Sequence, residues 1–97
     1  MQQRRQLESE LERRIMDYAE ATGWFQFKIM QASKRSIMDR VLIKDGVVLW
    51  AEIKRDSDED LRVQQQHRAD EMRRYGAICL KWDNFEDAKR DLTVYSL

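Results

Sequence analysis

The chain has 97 residues, the size of one domain with a single modest core, so we expect one domain over residues 1–97. Eighteen basic and eighteen acidic residues cancel, which excludes a general attraction of the whole chain to nucleic acid or to an anionic membrane. The single cysteine, Cys79, excludes an intrachain disulfide and suits a reducing compartment. The charged start and the short apolar runs predict a cytoplasmic protein with neither signal peptide nor membrane span.

The first element is predicted to be a helix from near Leu7 to Thr22, ended by Gly23 as a C-terminal cap. Its apolar positions recur at spacings of three and four residues: Leu7, Leu11, Ile15, Tyr18 and Thr22. Glu8 borders this stripe, and its carboxylate either reaches a metal site or favours the helix N-terminus. A strand of aromatic character, Trp24 to Met30, follows, and then a basic loop over residues 31–35.

The next two strands, residues 36–44 and 47–54, are joined at Asp45-Gly46. This pair is a strong signal for a two-residue hairpin, because a type I′ turn needs positive φ at both central positions. The turn fixes the register: Lys44 pairs with Val47, and the ladder running back from there places Asp39 opposite Glu52.

Three polar side chains are therefore predicted to converge on one face of the hairpin. Lys54 shares the face of Glu52, because side chains alternate with period two along a strand. Like charges directly opposite one another destabilise a sheet, and buried carboxylates are costly, so a cation between Asp39 and Glu52 is expected. The alternative is a buried ion pair, either Glu52 with Lys54 or Asp39 with Arg40. Lys54 neutralises only one of the two acids, and Arg40 points to the opposite face from Asp39. The pattern favours a metal-assisted hydrolytic site.

The remaining elements are a helix, a strand and a helix. The acidic residues 56–60 start a helix that runs to Tyr75, Ala77 to Trp82 form a fourth strand, and Asp83 or Asn84 caps a short last helix. The element order is α-β-β-β-α-β-α. The third strand is apolar on both faces, which predicts helices on both sides of the sheet. The crossover helix makes the third and fourth strands parallel.

Gln65 interrupts the apolar stripe of the second helix, which contains Leu61, Ala69 and Met72. A glutamine there is either a satisfied core amide or a residue that orients water or substrate. The single histidine, His67, lies on a charged helix and is interpreted as a surface residue.

The basic residues are unevenly distributed, with seven of them against three acidic residues between Lys28 and Arg55. This local excess surrounds the predicted site and either guides a phosphate backbone or forms an ordinary solvated surface. The candidate nucleic-acid contacts are Lys28, Lys34, Arg35, Arg40 and Arg55.

The order of these motifs resembles that of the PD-(D/E)xK nuclease superfamily, and in detail its VRR-NUC (virus-type replication-repair nuclease) branch. The matching residues are Glu8 with Leu11, Gly23 with Lys28, Ser36-Ile37-Met38-Asp39-Arg40, Glu52-Ile53-Lys54, and Leu61 with Gln65, Gly76 and Ala77. The resemblance spans nearly the whole chain, and the combined order is far more specific than any single motif. The chain departs from the family at Ser36 and Met38, where the family has glycine and proline. Neither position supplies a metal ligand, so we expect the chemistry to survive, although the bend that aims Asp39 can differ.

The resemblance implies a restriction-endonuclease-like α/β fold, a mixed β-sheet flanked by helices. It also implies Mg²⁺- or Mn²⁺-dependent cleavage of DNA phosphodiesters, with no small-molecule cofactor. Small stand-alone members, often from phages, resemble junction-resolving enzymes and act as homodimers. The implied partners are therefore branched DNA, above all four-way junctions, and a second copy of the chain, in the cytoplasm of a bacterial host.

The implied ligands are Asp39, Glu52 and the Ile53 carbonyl, with Glu8 bound directly or through water, since hard divalent cations prefer oxygen ligands. Lys54 then orients the attacking water or stabilises developing negative charge, and Gln65 positions the lysine or the water. Two rival interpretations stay open. One is a DNA-binding module that keeps the nuclease fold without cleavage, and the other is a purely structural α/β protein with a buried ion pair.

Overall fold

The computed structural model describes residues 2–54 and 59–97, and it describes side chains for residues 9–54 and 63–97. The elements are α1 (Gln2–Ala21), β1 (Phe25–Lys28), β2 (Arg40–Lys44), β3 (Val47–Ile53), α2 (Glu59–Arg74), β4 (Ile78–Trp82) and α3 (Phe85–Val94). This confirms the predicted α/β class and the predicted order of elements. Among the described residues, no helix is both long enough and apolar enough to cross a membrane.

The four strands form one mixed sheet in the order β1-β2-β3-β4. The β1–β2 and β2–β3 pairs are antiparallel, and the β3–β4 pair is parallel, as the crossover helix requires. The hairpin register matches the prediction, running from Lys44 opposite Val47 to Arg40 opposite Ala51. Asp45 and Gly46 have φ of 50° and 84°, so both central turn residues adopt the left-handed conformation that a type I′ turn needs.

Helices cover both faces of the sheet, as the apolar third strand predicts. The larger core lies between the sheet and the helices α1 and α3, and its largest fully buried side chains are Trp82, Ile15, Leu42, Leu49 and Leu92. A smaller cluster lies on the opposite face, where Ala69 of α2 packs with Met38 and Cys79. The two clusters hold β3 between them, so the residues at its carboxyl end have a fixed position.

Two predicted helix caps are confirmed. Gly23 ends α1 with φ of 97°, and the Trp24 N–H donates to the Ala19 carbonyl at 2.9 Å, as in a left-handed C-terminal cap. Asn84 is the N-cap of α3, where its side-chain oxygen accepts from the Asp87 N–H at 2.8 Å.

Strands β1 and β2 are shorter than predicted, because the chain between them turns rather than remaining extended. The expectation of a strand from Ser36 to Lys44 was wrong at its start, since β2 begins at Arg40. Ser36 has φ of 61°, a left-handed conformation that interrupts any strand. One further backbone hydrogen bond, from Ile29 N–H to the Asp39 carbonyl at 2.7 Å, continues the β1–β2 pairing and fixes the backbone of Asp39.

Candidate active site

The site lies where the β2–β3 ladder ends. Asp39 immediately precedes the paired residue Arg40, and Glu52 immediately follows its partner Ala51. The structure thus brings the two carboxylates together at adjacent strand ends. Lys54 also lies at this end, with its Nζ 3.8 Å from Glu52 Oε2.

Glu52 is the one charged residue among the buried side chains that the structure describes, with 7% of its surface exposed. Burial, reinforced by repulsion from Asp39, raises the pKa of its carboxyl from the ordinary 4.5 to about 7. Lys54, a hydrogen bond from the Gln65 side chain and one from the Asp39 backbone act in the opposite direction. Because the pKa of Glu52 remains raised, Lys54 and Gln65 together do not offset the cost of burying an ionised carboxylate.

Asp39 is more accessible, with 37% of its side chain exposed. Burial is the main cause that raises its pKa, and Glu12 on α1 raises it further. Lys28 is the strongest opposing influence, and its Nζ lies 4.0 Å from Asp39 Oδ2. Both carboxyl groups are therefore held in surroundings that disfavour two negative charges.

The donor set of this strand end fits a hard divalent cation. Two carboxylates whose ionisation is disfavoured gain most from a bound cation, and oxygen donors are the ligands that Mg²⁺ prefers. Within residues 9–54 and 63–97, no three acidic, histidine or cysteine side chains converge. A third protein ligand would therefore come from the Ile53 carbonyl or from Glu8, whose side chain lies outside the described ones.

Gln65 reaches the site from α2 and contacts Glu52 by a side-chain hydrogen bond. It is half-buried and, with Glu52 and Met38, lines a small cavity of about 40 Å³ on the α2 side of the sheet. The Gln65 amide thus finds a hydrogen-bond partner in the protein interior, and that partner is Glu52, a candidate metal ligand.

The candidate nucleic-acid contacts occupy different surroundings. Lys34 and Arg35 are exposed in the loop before β2, Lys28 lies beside Asp39, and Arg55 lies outside the described residues. Arg40 has 17% of its side chain exposed, and its Nε donates to Glu12 Oε2 at 2.7 Å. Its guanidinium also donates to Gln26 at 2.9 Å, so Arg40 ties α1 to the strands within the protein.

Glu12 on α1 is a residue near the site that the sequence analysis did not identify. Its carboxylate pairs with Arg40 and raises the pKa of Asp39. The signal in the sequence was its spacing of four residues from Glu8, which places two acids one helical turn apart on α1. Glu12 thus adds negative charge near Asp39 from helix α1.

A solved structure described as a VRR_NUC domain resembles this chain with a TM-score of 0.76, at 18% sequence identity. The alignment covers 91% of this chain and 96% of that one. At this identity the likeness establishes the fold, and the sequence-based resemblance is confirmed at that level. No family model matches the chain, and no curated protein matches it.

The raised pKa of Glu52 predicts that stability without metal falls as pH rises. The folded state binds the proton more tightly than the unfolded chain between pH 4.5 and about 7, so the free energy of unfolding decreases across that window. Each pKa unit corresponds to about 1.4 kcal/mol, so the full effect is on the order of 3 kcal/mol. Urea unfolding in EDTA from pH 5 to 8 should show this loss in the wild type, and Glu52→Gln should remove most of it.

The matched control is Glu86→Gln, an exposed residue of α3, which should keep the wild-type dependence on pH. An unchanged pH dependence in Glu52→Gln would contradict the assignment of the destabilising charge to Glu52.

Proposed function

We propose that the chain is a Mg²⁺- or Mn²⁺-dependent deoxyribonuclease that hydrolyses DNA phosphodiester bonds. The observation that carries this proposal is the meeting of Asp39 and Glu52 at adjacent strand ends, with Lys54 Nζ 3.8 Å from Glu52. The fold shared with a solved VRR_NUC domain supports it, because the order of motifs in this chain resembles the same nuclease family. A structural protein gains nothing from a buried carboxylate that remains uncompensated.

Each residue has a distinct role in this proposal. Asp39 and Glu52 would hold the cation, with the Ile53 carbonyl and Glu8 as further proposed ligands. The chemistry that Mg²⁺ or Mn²⁺ would supply there is polarisation of the phosphate and a lowered pKa of water. Lys54 donates to the attacking water or to a phosphate oxygen as negative charge develops.

Gln65 acts on the reaction through Glu52. Its hydrogen bond restrains the carboxylate and favours the ionised form, which is the form that binds a cation. Gln65 is therefore a positioning residue in this scheme.

Substitution of either carboxylate tests the proposal. Asp39→Ala and Glu52→Ala should abolish metal-dependent cleavage, because each removes a ligand with no replacement at the strand end. Lys54→Ala should lower kcat by roughly 10²-fold or more, the usual cost of removing a donor to developing charge. Cleavage of labelled DNA in Mg²⁺, Mn²⁺ or EDTA measures all three, and circular dichroism checks that the fold persists.

The control is Glu86→Ala on α3, which should cleave like the wild type. Full activity in Asp39→Ala or Glu52→Ala would remove both from the catalytic assignment. Wild-type protein that binds DNA but never cleaves it would instead support a non-catalytic DNA-binding module.

We further propose that the chain acts as a homodimer on branched DNA, with four-way junctions as its preferred substrate. Support comes from strand β1, an outer strand of the sheet that exposes apolar side chains. Phe25 is 65% exposed, Phe27 is 41% exposed, and Val48 extends the same face with 38% exposed. Exposed apolar surface and a free strand edge both favour association with another chain.

The position of this surface links assembly to the site. Lys28 ends β1 and contacts Asp39, so a partner paired along β1 would lie next to the catalytic carboxylates. A two-fold axis there would place two sites on one basic face, and two symmetric cuts match the symmetry of a four-way junction.

Light scattering at micromolar concentration should give about twice the 11.8 kDa of one chain. Replacing Phe25 and Phe27 by aspartate should produce a monomer with reduced preference for junctions. Tyr75→Asp is the control, because Tyr75 is 88% exposed at the end of α2 and should leave the dimer intact. A strict monomer that cuts linear and four-way DNA equally would remove both the dimer and the junction preference.

A further inference from the structure

A second concave surface lies beside the candidate site, between α2 and the loop that precedes β2. This α2 groove encloses about 370 Å³ and is open to solvent. Its lining includes Arg35 and Ser36 from the loop and Gln64, His67, Arg68 and Arg74 from α2. The polar and basic character of these side chains suits an anionic ligand rather than an apolar one.

One wall of the groove is fixed by Arg68. Its Nε donates to the Arg35 carbonyl at 2.9 Å, which ties the loop to α2 across the groove. The same guanidinium pairs with Glu71, the one acidic side chain of the lining. The loop is therefore held in place before any ligand binds, and a preformed groove loses less conformational entropy on binding.

The charge of the groove is positive. Three arginines line it against Glu71, whose carboxylate is already engaged by Arg68. Among the residues that the structure describes, no ion pair engages Arg35 or Arg74, and both side chains are exposed. Both guanidinium groups are exposed in the groove, and arginine binds phosphate oxygens in bidentate geometry.

The groove lies next to the carboxylates rather than on a remote surface. Gln64 is the direct neighbour of Gln65, which contacts Glu52, and Ser36 lies three residues before Asp39. Neighbouring residues on a helix are separated by about 100° of rotation, so the groove lies on the flank of α2 beside the face that carries Gln65. A DNA strand that passed from the carboxylates along this flank would enter the groove.

We propose that the α2 groove binds the DNA sugar–phosphate backbone to one side of the scissile phosphate, through Arg35 and Arg74. This inference rests on the proposed nuclease function and extends the DNA surface to α2. The contacts are to phosphates, so they position the DNA without reading its sequence. His67 and Gln64 supply further donors along the same wall.

The test measures DNA binding by fluorescence anisotropy in EDTA, over a range of NaCl concentrations and on two unrelated duplex sequences. Each phosphate contact contributes about 0.9 to the slope of log K against log [salt]. The double substitution Arg35→Gln and Arg74→Gln should therefore lower the magnitude of the slope by about 2, equally for both sequences. The control, Lys89→Gln with Arg90→Gln, removes two exposed charges from α3 and should leave the slope unchanged.

The outcomes separate this proposal from the proposed function. A slope unchanged by the groove substitutions would overturn the groove proposal, even if the protein cleaves DNA in Mg²⁺. An equal loss of slope in the α3 control would also overturn it, because the effect would then be one of net charge. Wild-type protein that neither binds nor cleaves DNA would overturn both proposals.

Discussion

Burial of the Glu52 carboxylate beside Asp39 is the constraint on which the rest of the site depends. The two-residue turn at Asp45-Gly46 fixes the register of the hairpin, and that register puts one carboxylate at the end of each strand. Separating the two carboxylates would require a shift in the register of the hairpin. A shift of one residue would move every core side chain of the shifted strand to the wrong face of the sheet. The fold therefore holds two acids in proximity, and burial raises the pKa of both.

The surrounding elements reduce the cost of ionising these two carboxyl groups without removing it. Lys54 and Gln65 lower the pKa of Glu52, and Lys28 does the same for Asp39. On the opposite face of the sheet, the Arg40–Glu12 pair fixes α1 against the strands and brings a further negative charge toward Asp39. A site for a divalent cation requires oxygen donors whose negative charge is incompletely balanced by the protein. The physical cost is a lower stability of the fold when no cation is bound.

Local signals explain how much could be predicted from the sequence. The turn at Asp45-Gly46 and the cap at Gly23 depend on a few neighbouring residues, and both appear in the structure as expected. The loop over residues 31–35 was predicted, but its extension up to Arg40 was not, because the left-handed conformation of Ser36 is unfavourable for serine. The neighbouring Arg35 carbonyl is held by Arg68 of α2, a contact between residues distant in the sequence. The Arg40–Glu12 pair and the α2 groove likewise join residues 28 to 39 positions apart, whose approach depends on how the layers pack.

Thermal unfolding at pH 8 with increasing Mn²⁺ tests most directly whether a divalent cation offsets the cost of burying the Glu52 carboxylate beside Asp39. A ligand that binds only the folded state raises the melting temperature by mass action. The wild type should therefore gain stability as Mn²⁺ increases, and Asp39→Asn should lose most of that gain while remaining folded. A wild-type melting temperature that does not change at saturating Mn²⁺ would contradict the account.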